Sequence, residues 1–258
     1  MLLLVGLGNV GEKYDLTRHN AGFMLVDLLL NLAQKGEFSA ADSPFFQPQT
    51  SQKISHKNPQ NQRVSQTNGA KDAQKTKFDP QKLAQSFKNA KLTCLTSEKF
   101  FGEVYKFGEL MLLKPSTFMN LSGKSVQAVT QFFKPDRVII AHDDIDLKLG
   151  ALRFKKGGSS GGHNGIKSID AAIGSGYERI RLGVGSPNEA TKASNQNSPL
   201  ASQTTFTPNT IDFVLGKFTQ SEIATLNQTL SVAAKLVLHA LSGETTEKLA
   251  SQFSLKGV

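Results

Sequence analysis

Leu2-Leu3-Leu4-Val5-Gly6-Leu7-Gly8-Asn9-Val10-Gly11 stands at the head of a sequence of 258 residues. Four apolar residues in a row read as a buried strand, and the glycines behind them as a turn. Gly6, Gly8 and Gly11 also spell G-x-G-x-x-G, the spacing of a dinucleotide-binding turn. That turn starts its helix inside the glycines, so that the helix N-terminus meets a pyrophosphate. Here Gly11 is followed by Glu12-Lys13-Tyr14-Asp15-Leu16-Thr17-Arg18-His19-Asn20, which is polar and lacks a helical apolar stripe. The dinucleotide form also needs an acidic residue about 20 positions on, closing a second strand. Asp27 is the nearest, and it falls inside the next helical pattern. A nicotinamide cofactor is therefore not expected. The glycines read instead as a tight strand-end turn. Asn9 is then left at the carboxyl end of a strand, where α/β sheets bind ligands.

Working outward, Asn20 can cap a helix whose apolar positions are Phe23, Val26, Leu29, Leu30 and Ala33. Phe100–Lys106 and Leu110–Leu113 read as two strands joined by a glycine turn. Helical patterns cover Ser122–Phe133, Asn164–Ile173 and Ser221–Leu241, and strand patterns Arg137–Ala141, Leu152–Phe154 and Arg179–Val184. Strands alternating with helices predict a three-layer α/β sandwich, with a mixed, mostly parallel central sheet flanked by helices. The whole of 1–258 reads as a single domain. Two polar stretches, at about 39–97 and 188–209, read as flexible insertions; the first lacks apolar periodicity until Leu83 and Phe87.

The formal charge of +9 points to an anionic partner. Its distribution weakens that inference, because nine Lys and Arg face only Asp72 and Asp79 between Pro44 and Ser97. A nucleic-acid site must therefore rest on local clusters elsewhere. The lone Cys94 excludes an intrachain disulfide, which fits a reducing compartment. No run reaches the roughly 18 apolar residues of a membrane span, and no signal peptide is apparent. A cytoplasmic protein without a membrane partner is expected.

The residues with chemistry gather at strand ends. Thr17-Arg18-His19-Asn20 places a histidine between the first loop and the first helix. His142-Asp143-Asp144-Ile145-Asp146 follows the strongest apolar strand. Acidic residues there can bind a metal, but no second cluster has ligand spacing, so no metal is expected. An Asp that orients a His is the other reading. Ser116-Thr117-Phe118-Met119-Asn120 and Gly161-Gly162-His163-Asn164-Gly165 each bring an asparagine to a loop. Uncharged amides suit a peptide backbone or a developing oxyanion. Arg153, Lys155, Lys156, Lys167, Arg179 and Arg181 make a basic cluster near the same edge, fit for phosphates.

These motifs, in this order, resemble the bacterial peptidyl-tRNA hydrolase family: Gly6–Gly11, Thr17–Gly22, Pro115–Gly123, Ala141–Asp146 and Gly161–Gly165, with Arg179–Gly185 and Phe213–Gly216 after them. The resemblance covers nearly all of the chain outside the two polar stretches. It implies a cofactor-free, metal-free monomer that hydrolyses the ester between a peptide and the 3′-terminal ribose of tRNA. It implies His19 as the base that activates water, Asp143 as its partner, and Asn9 in the catalytic group. Tyr14, Phe118, Asn120, His163 and Asn164 match substrate-binding positions. Lys155, Arg181 and Arg153 match the basic residues toward the tRNA. The family usually has proline where this chain has Val10. A plant splicing factor shares the fold, so a non-catalytic RNA-binding module is the alternative. The complete His and Asp set favours the enzyme.

Overall fold

The computed structural model describes residues 1–38, 83, 87–187 and 209–258. Among these, eight strands form one sheet: β1 (Leu2–Gly6), β2 (Thr93–Cys94), β3 (Gly102–Phe107), β4 (Leu110–Pro115), β5 (Arg137–Asp144), β6 (Ala151–Lys156), β7 (Glu178–Gly183) and β8 (Leu255–Lys256). Their order across the sheet is β2-β3-β4-β1-β5-β7-β6-β8. β1 runs parallel to β4 and β5, and β5 parallel to β7. The outer pairs, β2–β3, β3–β4, β6–β7 and β6–β8, are antiparallel. The sheet is thus mixed, with a parallel centre built from the most continuous apolar runs, as burial on both faces requires.

Six helices complete the described fold: α1 (Ala21–Gln34), α2 (Ser122–Phe133), α3 (Asn164–Ile173), α4 (Thr210–Leu215), α5 (Gln220–Leu241) and α6 (Thr246–Gln252). Alternate residues of β1 feed two cores. Leu2 and Leu4 pack with Leu25 and Leu29 of α1 and Leu230 and Val237 of α5. Leu3 and Val5 pack on the other face with Val126 of α2 and Ile166 and Ile169 of α3. This is the expected three-layer sandwich. No helix among the described residues is long and apolar enough to cross a membrane.

The opening glycines serve close packing. A Cβ on Gly6 would lie 2.2 Å from the Gly22 carbonyl oxygen, and one on Gly22 would lie 2.4 Å from that of Ala141. The first turn of α1 therefore rests directly on the ends of β1 and β5. Gly11 alone needs its backbone freedom, with φ at 112°. α1 begins only at Ala21, after two short 3₁₀ turns at Glu12–Tyr14 and Arg18–Asn20. The glycine motif leads into a single 3₁₀ turn capped by Gly11 and not into the α-helix that a pyrophosphate requires, which argues against the dinucleotide reading.

Most of both expected insertions lies outside the described residues, but their edges need correction. Leu83 and Phe87 are buried, and Phe87 stacks on Phe107 at 5.0 Å and meets Phe38 at 5.5 Å. Thr93–Cys94 pairs with β3. The first polar stretch thus rejoins the core before position 97, and the four-residue spacing of Leu83 and Phe87 was its signal. At the other stretch, Asn209 is a helix cap: its side-chain oxygen accepts from the Ile211 N–H at 3.2 Å and starts α4.

Candidate active site

β4, β1 and β5 all end toward the same edge, and the loops beyond them enclose a cavity of about 750 Å³. Asn9, Tyr14, His19, Phe118, Asn120, Asp143, His163 and Asn164 all line it, so every expected catalytic and substrate-binding residue converges there.

Asp143, the penultimate residue of β5, is buried. Its two oxygens approach His19 Nδ1 at 2.9 and 3.0 Å, and one of them also accepts from His163 Nε2 at 2.9 Å. The His19 ring therefore carries its proton on Nδ1 and turns Nε2 to the cavity. Burial opposes a charge on His19, but the charge and hydrogen bond of Asp143 prevail and raise its pKa above the ordinary value. Burial likewise opposes the ionised form of Asp143, and the facing histidines more than offset it, holding the carboxyl well below the usual range.

His163 stands at the N-cap of α3. Its Nδ1 accepts from the N–H groups of Gly165 and Ile166, at 3.1 and 3.3 Å. The proton is thereby fixed on Nε2, where it meets Asp143. Both nitrogens are committed to Asp143 and to the start of α3, so His163, expected among the substrate-binding residues, lines the cavity with neither ring nitrogen free for a substrate. The same commitment argues against a metal shared by His19, Asp143 and His163, although their ligand atoms lie within 4.8 Å of one another. A metal on Nε2 would drive the proton onto Nδ1, where two backbone donors already point.

Asn9 is clamped. Its backbone N–H donates to Asn20 Oδ1 at 2.9 Å, its carbonyl accepts from Asn20 Nδ2 at 3.0 Å, and its side-chain Oδ1 accepts from the Met119 N–H at 3.0 Å. Asn9 Nδ2 has no partner among the described residues and is the group left for a ligand. Asn20 thus does occupy the N-cap position of α1, but its side chain makes no cap. Asn120 and Asn164 are brought together because α3 packs closely on Met119. A Cβ at Gly165 would lie 2.6 Å from Met119 Sδ.

Three features escape sequence reading. Ile211, Val214 and Leu215 of α4 give the cavity an apolar wall. Arg18, beside the base, donates to the carbonyls of Gly216 and Lys217 at 3.2 and 3.1 Å and pairs with Glu222 at 2.8 Å. It ties the His19 turn to that wall. His142 is buried, with Nδ1 donating to the Asp143 carbonyl at 2.7 Å and Nε2 without a partner among the described residues. Burial pushes its pKa down to about 3. The pattern of apolar residues after Asn209 could have revealed the wall, whereas nothing local distinguishes Arg18.

The basic residues stand apart from the cavity. β6 and β7 pair Arg153 with Arg181 and Lys155 with Arg179. Arg181 holds Asp144 at 2.5 Å, and Arg179 binds the carbonyls of Gly158 and Ser159 and the carboxylate of Asp170. Burial, then the charges of Arg181 and Arg179, lower the pKa of Lys155, so cations crowd there. Arg153 differs: its guanidinium donates to the carbonyls of Leu152 and Leu255, fastening β8 to the sheet.

A family profile described as peptidyl-tRNA hydrolase matches residues 3–65 and 80–257. A peptidyl-tRNA hydrolase of Campylobacter jejuni is 40% identical over 257 residues, covering 99% of this chain and 99% of the relative. One from Campylobacter concisus is 39% identical over 256 residues, covering 99% and 97%. The crystal structure of peptidyl-tRNA hydrolase from Acinetobacter baumannii superposes with a TM-score of 0.64 at 25% identity, covering 99% of this chain and 95% of that one.

Proposed function

Because the chain belongs to the peptidyl-tRNA hydrolase family, we propose that it cleaves the ester between peptide and tRNA ribose with His19 as general base. The observation that carries this reading is His19, held at Nδ1 by Asp143, with no partner for Nε2 among the described residues, in a cavity lined by three asparagines. Nε2 takes a proton from water as the oxygen attacks the ester carbonyl. Asp143 stabilises the imidazolium that forms. Asn9 Nδ2 donates to the developing oxyanion. Collapse of the tetrahedral intermediate breaks the bond to the ribose 3′-oxygen, which takes the proton back from His19. The products are tRNA with a free hydroxyl and a peptide carboxylic acid, which releases its proton to solvent to become the carboxylate.

Asn120 and Asn164 hold the peptide backbone, while Phe118 and the α4 wall receive its side chains and Tyr14 flanks the ester. Lys155 and Arg181 meet tRNA phosphates, with Arg153 at the rim of that surface. No cofactor or metal enters the scheme. One chain completes the cavity, which supports action as a monomer, and a peptidyl-tRNA substrate supports action in the cytoplasm. Peptide release from purified peptidyl-tRNA tests the reading. His19→Ala should lower kcat about 10²- to 10⁴-fold with circular dichroism unchanged. Full activity of that variant would refute the base assignment, and an inactive wild type would favour the RNA-binding module.

A further inference from the structure

We propose that Leu121, Lys124 and Phe101 form a track that guides the substrate's peptide away from the cavity, past the residues held by Asn120 and Asn164. This rests on the hydrolase reading above. Phe118, on the cavity wall, is 61% exposed; Leu121 is 51% exposed and Phe101 38%. Leu121 and Lys124 are three residues apart across the start of α2, which places them on one side of it. Lys124 Nζ lies 3.8 Å from the Phe101 ring centroid. The apolar surface therefore continues outward from Phe118 through Leu121 to a ring steadied by a lysine.

Phe101 is held out under strain. Its φ is 50°, in the left-handed region that aromatic residues rarely adopt. The conformation is fixed by hydrogen bonds from its N–H to the Glu98 carbonyl, at 3.1 Å, and from the Ser116 N–H to its own carbonyl, at 2.8 Å.

The order of the sheet gives the direction. His19 and Asp143 stand over β1 and β5. Lys155 and Arg181 lie on the β7–β6 side, whereas Phe101, Leu121 and Lys124 lie on the β4–β3 side. The substrate is a polyanion joined through one ester to an uncharged chain. With the ester at His19 and the phosphates at the cations, the chain leaves toward β4 and β3.

The test compares two substrates, one tRNA bearing a single N-acetylated amino acid and one bearing a peptide of about eight residues, at roughly 3.3 Å each long enough to reach the track. The variants are Phe101→Gly, which also relieves the backbone, and Leu121→Ser. Each should raise KM for the long substrate about three- to tenfold and leave kcat/KM for the short one within about twofold. Equal effects on both substrates, with a shallower salt dependence, would assign the patch to RNA and overturn the proposal. No effect on either would overturn it too. Failure of the wild type on the short substrate would instead overturn the hydrolase reading, and the track with it.

Discussion

Asp143 presents both carboxylate oxygens to Nδ1 of His19, at 2.9 and 3.0 Å. Burial works against a charged imidazole there, yet the carboxylate raises the His19 pKa above 6.5. A base must be unprotonated to act, so kcat/KM should fall on acidification with a midpoint above pH 6.5. Asp143→Asn removes the raising influence and leaves burial, which moves the midpoint below 6.5. It also lets the ring adopt the wrong tautomer, cutting kcat about 10³- to 10⁴-fold. A pH–rate profile of peptide release checks both. An unmoved midpoint in the variant would show that another group controls the profile.

Arg181 and Lys155 are expected to act on binding rather than on chemistry. Alanine at either position should raise KM with kcat little changed, and should reduce the slope of log KM against log salt by about 1. Kinetics at several salt concentrations decide this. A loss confined to kcat would move these residues out of the phosphate-binding role.

His142 gives the fold an acid weakness. Its pKa is pushed down to about 3, first by burial. The unfolded chain binds a proton at this residue below about pH 6.5, and the folded chain does not until pH nears 3. Its contribution to stability is thus complete above 6.5 and is lost progressively as pH falls between those values. Denaturant titrations from pH 7 to 4 should show a shallower decline for His142→Gln than for the wild type. Parallel declines would count against this assignment.

Gly22 should resist even alanine. The added methyl would sit 2.4 Å from both the Ala141 carbonyl oxygen and the Leu7 nitrogen. Either α1 lifts off the sheet or β5 shifts, at about 1–3 kcal/mol of stability. Both movements displace His19 from Asp143, so kcat should fall along with the melting temperature. A variant of unchanged melting temperature and kcat would contradict the close approach.

The central strands were legible because Leu2–Val5 and Val138–Ala141 are unbroken apolar runs that only a two-sided core explains. β5 runs on to Asp144 because its polar end is paired with β7 at the mouth of the cavity, where residues look like a loop in sequence. The two-residue strands β2 and β8 exist through their neighbours and leave no local pattern. The chemical residues could be picked by type, and His19 and Asp143 by the company they keep. Their engagements could not: Asn20 had the look of a cap and instead clamps Asn9, and both His163 nitrogens are taken. Such partnerships depend on distance in space, which Arg18 illustrates by reaching Gly216 across 198 positions.

The place of β1 has a consequence for biosynthesis. It is made before β4 and β5, yet it lies between them in the sheet. At about 5–20 residues per second, the ribosome needs on the order of ten seconds to proceed from Gly6 to Asp144. Until β4 is made Leu2–Val5 has neither neighbouring strand, and to the end of that interval it lacks β5, which leaves an apolar segment open to aggregation and to chaperones. A chain arrested before β5 would lack Asp143 as well as the strand that shelters β1.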